Sequence, residues 1–521
     1  MDKHKFKKVI KKMSRYINSC LLGPLSPAER RDKAFEIRME AAKFYKNQPL
    51  VNHRNNGDED RYPNKIASYS KALPHNELGE VNLKAYHNYL EALKSGDSKD
   101  FEKIPMGGAA KLVNPQSAYA YDLVGPDSHQ LVLHAPPDFS SADLAGEMVE
   151  LYWQALARDI PFNEYDSHQL TKDAASELSG LTVFHGPKIN GQVTTGTLFR
   201  GNYPGSIEGP YISQFLWKNI PFVSTEIIQQ YHTILPGDDH LTSYSDWLAV
   251  QNGSSPHSKK IDSVPRYIRN GRDLAEWVHN DSSIDSGLMA CYLLLSYGSK
   301  ALDPENPYFN SATQVGFPTF GVPHILDFIT RASRPALDAV WFQKWLVHRR
   351  FRPEEFGGRI HNKMMGADYP INPVVMSSEA LIQTFNKFGT YLLPQAYSEG
   401  CPTHPSYPSG HAAFIGAMVT MMKAFFDESY EIPDPVVASS DGLQLLPYDG
   451  KLTLGGELNK LAANIAIGRT IAGVHYRSSA INGMLLGEAV AIGILRDYKR
   501  TYNESFKGFS LTKFDGTKIT T

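Results

Sequence analysis

The chain has 521 residues, 42% of them hydrophobic and 21% charged, which is enough to bury one large core or two fused ones. Its 53 Lys and Arg residues nearly balance its 55 Asp and Glu residues, so the formal net charge of −2 argues against nucleic-acid binding through bulk electrostatics. The 3 cysteines lack the spacing of metal ligands and indicate neither a zinc site nor a disulfide framework.

Residues 1–60 predict an extended N-terminal arm. Residues 1–16 are rich in lysine but lack the apolar segment of a secretory signal, so a cytoplasmic location is expected by default, with export by another route left open. Cys20 is a candidate for a cross-link between subunits. The longest uncharged stretches, residues 287–299 and 412–422, are shorter than the roughly 20 apolar residues of a membrane span, so none is expected.

Residues 61–320 predict an N-terminal helical half. Apolar residues recur every three or four positions over residues 78–95 and 142–158, which is the period of an amphipathic helix. Between residues 182 and 210 the sequence changes to short β-prone runs separated by glycines. That change predicts a small β-hairpin excursion.

The stretch 303–318 is rich in side-chain oxygens and turn residues. We interpret it as a solvated connection, with a structural calcium ion as the alternative, because hard cations prefer oxygen ligands. Residues 321–500 are almost wholly helical in pattern and form the predicted C-terminal half. Residues 501–521 form a polar tail, which we expect to pack loosely.

The octapeptide at residues 404–411, His-Pro-Ser-Tyr-Pro-Ser-Gly-His, is the most informative motif of the chain. Pro408 suits the start of a helix, Ser409 can cap it, and Gly410 lets a ligand come close to the backbone. The free N–H groups and the positive dipole end of such a helix favour a bound anion. His404 and His411 flank this site, and the alternative is a capped core helix with a histidine present by chance.

Residues 333–350 predict a helix whose apolar face includes Lys344. Arg352 follows eight positions later, so at about 100° per residue both cations reach one side near the end of the helix at Pro353. Buried cations need an anionic partner. The alternative is that both side chains extend to solvent.

Residues 457–470 predict another buried helix, which carries Arg469 near its end. His475 follows shortly after, so a fixed cation and an imidazole arrive together, although Arg469 alone would also fit a core ion pair. Together with Lys344 and Arg352, and without acids at equivalent spacing, these residues favour a tetrahedral oxyanion as the ligand.

These three blocks resemble, in order and spacing, a signature shared by type 2 phosphatidic acid phosphatases, bacterial class A acid phosphatases and vanadium-dependent haloperoxidases. Within that superfamily, residues 118–123, 149–153 and 209–215 are similar to the vanadium bromoperoxidases of red algae and their cyanobacterial relatives. The resemblance covers most of residues 110–495. With the helical patterning, it predicts an all-α fold of two packed four-helix bundles.

The resemblance also implies a role for each site residue. It implies that vanadate is held by Lys344, Arg352, Ser409, Gly410 and Arg469, with His475 as the imidazole bonded to vanadium. His411 is then the acid–base residue, and Lys344 also polarises the peroxide.

Three further positions concern halide use and the ligand histidine. His404 matches a histidine carried by bromide-using members of the family. Gln343 stands where the red-algal enzymes have an arginine linked to halide handling, which predicts weak bromide binding. Ser479 stands where many superfamily members have an aspartate, which predicts that no carboxylate orients His475.

The implied activity is oxidation of bromide or iodide by hydrogen peroxide to hypohalous acid, which halogenates small organic acceptors. An acid phosphatase is the alternative, with His475 as nucleophile and His411 as leaving-group acid, because vanadate resembles the transition state of phosphoryl transfer. A non-catalytic phosphate-binding protein is a third alternative. Members of the family form dodecamers or dimers, so we expect a homo-oligomer.

Overall fold

The computed structural model describes residue 21 and residues 23–521. The described residues up to Pro49 and those from Leu50 to Thr521 form two compact units. In the first unit, helix α1 (Pro27–Lys46) begins with a capping box in which Ser26 and Glu29 bond to each other's backbone N–H. Cys20 lies outside the described residues, so its cross-link stays a prediction, as do the domain boundaries at residues 60, 320 and 500.

The second unit is mostly helical. Its α-helices, in chain order, are α2 (Asp58–Arg61), α3 (Leu83–Ser95), α4 (Ser98–Phe101), α5 (Ala142–Ala157), α6 (Gln169–Gly180), α7 (Tyr244–Gln251), α8 (Gly271–Asn280), α9 (Asp285–Ser296), α10 (Val322–Arg331), α11 (Ser333–Phe342), α12 (Pro353–Met364), α13 (Pro373–Met376), α14 (Glu379–Phe388), α15 (Gly410–Lys423), α16 (Leu454–Ile471) and α17 (Arg477–Tyr498). Short 3-10 turns lie at Pro115–Tyr119, Ser128–Gln130, Phe162–Glu164, Gln214–Leu216, Ser299–Ala301 and Lys499–Thr501.

Strands are few and short. In the described residues they form three antiparallel pairs: β1 (Ile220–Phe222) with β2 (Thr225–Ile227), β3 (Val436–Ala438) with β4 (Leu445–Pro447), and β5 (Ser510–Thr512) with β6 (Lys518–Thr520). The prediction of an all-α fold with a small β-hairpin excursion is confirmed. The predicted location of the hairpin, residues 182–210, is wrong. Residues 182–210 hold only the isolated bridge between Ile189 and Gln192, because glycines such as Gly191, at φ +80°, turn the chain there.

The helices pack in two groups. In the C-terminal group α15 packs against α11, α16 and α17, and all of its residues from 412 to 423 are buried. In the other group α5 packs against α6, α13 and α14. Because α15 is enclosed by neighbours, it is apolar nearly all round rather than on one stripe.

Helix α17 with the turn after it, residues 477–501, is long and apolar enough to cross a membrane by length and composition alone, the one such helix among the described residues. However, 67% of its apolar window is buried inside the protein, and it packs against α15 and α16. Its composition therefore fits a core helix. Residues 477–501 are not among the longest uncharged stretches because charged residues such as Glu488 and Arg496 interrupt this segment.

The C-terminal residues pack tightly on the core, so the prediction of a loosely packed tail is wrong. Phe509, Leu511 and Phe514 are buried. Lys423, the last residue of α15, donates from Nζ to the Thr512 carbonyl at 3.0 Å, and Glu488 of α17 accepts from the Phe514 N–H at 2.6 Å. The apolar residues were hidden in a mostly polar sequence, but they point to the same side of the β5/β6 hairpin and its flanks.

The stretch 303–318 is held by its own hydrogen bonds. Asp303 Oδ1 accepts from the Glu305 N–H at 2.7 Å, and Asn306 Oδ1 accepts from the Tyr308 N–H at 2.9 Å. Across the part of the chain that the structure describes, no group of three or more His, Cys, Asp or Glu side chains is arranged to hold a metal ion. The calcium alternative therefore finds no support.

The predicted helix over residues 333–350 ends early. After α11 the chain widens into a π-helical turn, Gln343–His348, and Arg349 then takes a left-handed conformation at φ +37°. Arg352 therefore does not continue that helix but is the N-cap residue of α12. As a result, three helices begin at the three predicted blocks: α12 after Arg352, α15 after Ser409, and α17 two residues after His475.

Candidate active site

The start of α15 has the geometry that its sequence predicts. Ser409 is the N-cap residue, and its Oγ accepts from the Ala412 N–H at 3.4 Å. The first-turn N–H groups, including those of Gly410 and His411, have no acceptor inside the helix, as at every helix start. A Cβ at position 410 would lie 3.4 Å from Leu337 and 3.5 Å from Trp341, which is ordinary van der Waals contact, so Gly410 is not required by these two neighbours.

Lys344 lies in the π-helical turn and is fully buried. Its Nζ donates to the Pro405 carbonyl at 2.6 Å, which ties the first block to the octapeptide. Burial, together with the nearby charges of Arg352 and Arg469, lowers the pKa of Lys344 well below its ordinary value.

Arg352 joins all three blocks. Its Nε donates to the His404 carbonyl at 2.8 Å, and one terminal nitrogen donates to the Val474 carbonyl at 2.7 Å and to Nε2 of His475 at 3.1 Å. The other terminal nitrogen lies 2.9 Å from Nδ1 of His404. Because the side chain is fully buried, these contacts fix the guanidinium between the two histidines.

Arg469 enters the site from the last turn of α16. One terminal nitrogen donates to the Val278 carbonyl at 2.7 Å and to the Tyr397 hydroxyl at 3.1 Å, and the guanidinium lies over the Tyr397 ring at 5.3 Å. Among the described residues its Nε has no hydrogen-bond partner although it is buried. Arg469 therefore keeps an unused donor.

His475 follows a tight turn at Gly473. Gly473 has φ +84°, and a Cβ there would lie 2.7 Å from Nε2 of Gln395, so the turn requires glycine. Burial and the adjacent cations, Arg352 first among them, lower the pKa of His475 well below its ordinary value. Its imidazole is therefore neutral near pH 7.

His404 is buried beside Arg352. Its ring lies 4.9 Å from that of Trp341, between centroids, and Trp341 Nε1 donates to the Val113 carbonyl at 3.2 Å. Burial and the charges of Arg352 and Lys344 lower the pKa of His404 well below its ordinary value. His404 is thus a neutral neighbour of the cations, and its ring is tilted by 38° to that of Trp341.

Gln343 is the first residue of the π-helical turn. Its amide donates to the Leu131 carbonyl at 2.7 Å, and the side chain is fully buried. Trp341 is the ring neighbour of His404. The assignment of Gln343 to halide handling stays a prediction.

His411 pairs with an aspartate that the sequence analysis missed. Its Nε2 lies 3.0 Å from Oδ1 of Asp281, which follows α8 and is 2% exposed. Burial and Arg469 lower the pKa of His411, while Asp281 opposes that shift. The two residues are 130 positions apart, so no local spacing in the sequence signals the pair.

The cations of the site lack acidic partners. Within the described residues, neither Lys344, Arg352 nor Arg469 forms an ion pair with a carboxylate, although all three are buried. By contrast, the neighbouring Arg350 and Arg477 pair with Glu147 and Glu150. The charges of Arg350 and Arg477 are thus compensated, whereas those of the three site cations are not.

Similarity to known proteins agrees with this geometry. A family model described as the VCPO second helical-bundle domain matches residues 383–504. A vanadium-dependent bromoperoxidase of Ascophyllum nodosum is 36% identical over 95% of this chain and 93% of its own length. A vanadium-dependent bromoperoxidase of Corallina pilulifera is 34% identical over 95% of this chain and 99% of its own length. The chain belongs to the vanadium-dependent bromoperoxidase family.

Solved structures extend this family relationship to the whole fold. The homohexameric second vanadate-dependent bromoperoxidase of Ascophyllum nodosum matches with a TM-score of 0.91 at 31% identity, over 96% of this chain and 91% of that chain. The region of the helical-bundle model contains the octapeptide, Arg469 and His475 but not Lys344 or Arg352. In this member of the bromoperoxidase family the remaining cations therefore come from the connection between α11 and α12.

Proposed function

We propose that the site binds vanadate and uses hydrogen peroxide to oxidise bromide or iodide to hypohalous acid, which halogenates a small organic acceptor. The observation that carries this proposal is the burial of Lys344, Arg352 and Arg469 without a carboxylate partner among the described residues. Buried like charges without a counter-ion are costly, so an oxyanion is the ligand that stabilises them.

The donors present fit vanadate. Lys344 has three ammonium protons and uses one of them on Pro405, and Arg469 Nε has no partner among the described residues. Ser409 and the first-turn N–H groups of α15 add neutral donors and the positive end of the helix dipole. Together they supply charge and hydrogen bonds from several directions, as a tetrahedral oxyanion needs.

His475 is suited to bond the metal of that oxyanion. Arg352 can only donate hydrogen bonds, so the contact between the two residues identifies Nε2 of His475 as the acceptor and places the ring proton on Nδ1. A neutral imidazole with a free lone pair is the form that binds a metal. When bound, vanadate supplies a fully oxidised Lewis-acid centre that activates hydrogen peroxide, so no redox cofactor is needed.

His411 then acts as the acid–base residue. Its Nε2–H donates to the Asp281 carboxylate, which fixes the ring and leaves Nδ1 to take and return a proton. Lys344 adds a point charge that polarises hydrogen peroxide, and Arg352 and Arg469 spread the negative charge of the bound anion.

We propose bromide and iodide as the halides, with little chloride use. Chloride is harder to oxidise and more strongly hydrated than bromide, so it demands a more strongly activated oxidant. His404 and Trp341 line the site beside Arg352 with a neutral imidazole and an indole ring, which add no charge to bind a strongly hydrated anion. We also propose that the chain forms a homo-oligomer, which the homohexameric relative supports.

Two assays on one preparation test the activity. After the chain has been loaded with vanadate, bromination of monochlorodimedone with hydrogen peroxide is measured. Hydrolysis of p-nitrophenyl phosphate is measured on the vanadate-free protein. We expect fast bromination and weak hydrolysis; the opposite ratio would show that the oxyanion site serves phosphate ester hydrolysis, with His475 as nucleophile.

A further inference from the structure

The ligand histidine of the proposed site is not oriented by a direct hydrogen bond to its free ring nitrogen. Among the described residues, Nδ1 of His475 has no partner although it is buried, and neither does the hydroxyl of Ser479, one helical turn further on. A ligand histidine commonly donates this N–H to an acceptor that fixes the ring. Here the orientation of His475 must instead come from the backbone on either side of it.

On the N-terminal side, two carbonyls are held. The Gly473 carbonyl accepts from Nε2 of Gln395 at 3.0 Å, and the Val474 carbonyl accepts from Arg352 at 2.7 Å. Both donors are fully buried. These bonds fix the turn that leads into His475.

On the C-terminal side, Glu147 of α5 holds the chain. One oxygen of its carboxylate accepts from the backbone N–H of Ser478, and the other accepts from Arg350 at 2.9 Å. Arg350 in turn donates to the Ser478 hydroxyl at 2.8 Å, and its guanidinium carbon lies over the Tyr476 ring at 3.9 Å from the centroid. Glu147 thus holds Ser478 directly, and through Arg350 it also holds Tyr476.

Glu150, one turn further along α5, binds Arg477, which lies between Tyr476 and Ser478. Its carboxylate accepts two hydrogen bonds from Arg477, of which that from Nε is 2.8 Å long, and Arg477 also donates to the Arg200 carbonyl at 2.9 Å. Glu147, Glu150, Arg350 and Arg477 are all buried. A bidentate pair in such surroundings is geometrically specific, so the start of α17 is fixed at consecutive residues.

We propose that Glu147 is a positioning residue that fixes the imidazole of His475 for bonding to vanadium, with Glu150 as its support. This inference rests on the proposed function, because it assigns a purpose to the orientation of His475. Glu147 takes the part that a carboxylate at position 479 plays elsewhere in the superfamily, but it acts through the backbone and Arg350. The side chains of Lys344, Arg352 and Arg469 are not held by Glu147, so their attraction for an anion does not depend on it.

This difference gives a selective test with two oxyanions. Vanadate gains a bond to His475, whereas inorganic phosphate is held by charge and hydrogen bonds alone. For Glu147→Gln we expect the dissociation constant of orthovanadate, measured by equilibrium dialysis, to rise about 10- to 100-fold. We expect the phosphate dissociation constant, measured by the same method, to change less than about threefold, because the three cations are intact.

A matched control separates positioning from loss of stability. Glu457 also forms a buried ion pair, with Lys460 at the opposite end of α16 from Arg469, so Glu457→Gln removes a comparable charge away from the site. We expect this variant to lower the melting temperature while both dissociation constants stay as in the wild type. If Glu147→Gln does not fold, Tyr476→Leu removes the surface on which Arg350 stacks, and we expect the same selective loss of vanadate.

Several results would overturn the inference. Unchanged vanadate affinity in both Glu147→Gln and Tyr476→Leu would do so. Equal weakening of vanadate and phosphate would show that Glu147 supports the site only in a general way. The wild type and His475→Ala are measured alongside: if they bind vanadate equally, the proposed ligand role of His475 fails, and this failure is distinct from that of Glu147.

Discussion

A terminal nitrogen of Arg352 lies 3.1 Å from Nε2 of His475, and the two side chains are buried together. Arg352 thus donates to the lone pair that the proposed function assigns to vanadium. A metal bound at Nε2 would replace this hydrogen bond and would leave the Arg352 donor for the oxygens of the anion. On ligand binding, Arg352 would therefore exchange its hydrogen bond to His475 for one to the anion.

Replacement of the two histidines should separate binding from turnover. His475→Ala removes the only proposed covalent contact to vanadium, so we expect the dissociation constant of vanadate to rise more than about 100-fold. His411→Ala keeps every proposed donor to the anion, so we expect it to retain vanadate but lose about 100-fold or more in kcat. Equilibrium dialysis and steady-state bromination measure the two quantities. Equal binding and equal activity of the two variants would contradict this division of roles.

Asp281 should tune the protonation of His411. Since its carboxylate opposes the lowering of the pKa of His411, Asp281→Asn should lower that pKa further and move the acidic limb of the bromination rate to lower pH. We also expect kcat to fall about tenfold because the ring loses a charged acceptor. The pH profile of kcat is the measurement. Asp285→Asn, four residues on and bonded only to Ser282 in the described residues, is the control and should leave the profile in place.

Halide selectivity should respond at Trp341 and His404, not at Gln343. An arginine at position 341 would lie beside His404 and attract the anion, so Trp341→Arg should lower the KM for bromide. Gln343→Arg should leave that KM unchanged, but it buries an unpaired charge next to the Leu131 carbonyl and should cost about 3 kcal/mol of stability or more. Steady-state rates with the three halides, together with melting temperatures, measure both effects. A lower bromide KM in Gln343→Arg would contradict this expectation and support a role of position 343 in halide handling.

His404→Phe tests the other member of this ring pair. The phenyl ring keeps the packing against Trp341 but removes both nitrogens beside Arg352. We expect slower bromide oxidation and a changed ratio of bromide to chloride turnover. If all three halide rates equal those of the wild type, His404 only fills space beside the site.

The C-terminal hairpin should contribute to the stability of the whole second unit. Phe514 is 2% exposed and lies under the ammonium group of Lys423, at 4.4 Å from its ring centroid. Phe514→Ala should lower the free energy of unfolding by about 3 to 5 kcal/mol, as for other buried phenylalanines. Chemical denaturation measures the change. Tyr121→Ala removes an aromatic ring that is 84% exposed and should change the free energy by less than about 0.5 kcal/mol.

Buried neutral histidines should make the fold acid-sensitive. Burial lowers the pKa of His348 and of His75 to about 3, and both ring nitrogens of His348 lack partners among the described residues. Below the ordinary histidine pKa of about 6.5, these two histidines are protonated in the unfolded chain but stay neutral in the folded one. Each such group therefore lowers stability by up to about 1.4 kcal/mol per pH unit until the folded pKa is reached.

Melting temperatures at several pH values between about 7 and 4.5 measure this loss. In His348→Phe the loss should be smaller, because one of the two groups no longer takes up a proton. His257→Phe changes an exposed histidine and should leave the slope as in the wild type. If the melting temperature of His348→Phe falls with pH as steeply as that of the wild type, His348 does not contribute to the acid sensitivity.

The sequence was informative wherever the chemistry is local. Ser409, Gly410 and His411 are consecutive, and Arg469 and His475 are separated by one turn, so spacing alone predicted that they meet. The pair of His411 with Asp281 and that of Glu147 with Arg350 join residues more than 100 positions apart, and only the packed helices bring them together. No periodicity carries that information.

Two errors have physical reasons of their own. The sequence predicts one regular helix over residues 333–350 with Arg352 near its end, because a regular period hides both the π-helical turn and the left-handed Arg349. The sequence predicts a loosely packed tail after residue 500 because the composition of that segment is polar overall. Its few apolar residues nevertheless face the core, and burial depends on where residues point rather than on their average.

Three helices begin at the site, after Arg352, after Ser409 and just beyond His475. Each helix start carries about half an elementary charge of positive sign from its aligned peptide dipoles. The carboxylates of Glu355 and Glu147 accept from N–H groups at the starts of α12 and α17, so the dipole of α15 is the one that remains for an anion. Peptide groups do not titrate, so this part of the potential persists at high pH, where Lys344 and its lowered pKa no longer supply a full charge. The affinity of the site for an oxyanion should therefore level off, rather than vanish, as an alkaline titration of phosphate binding proceeds.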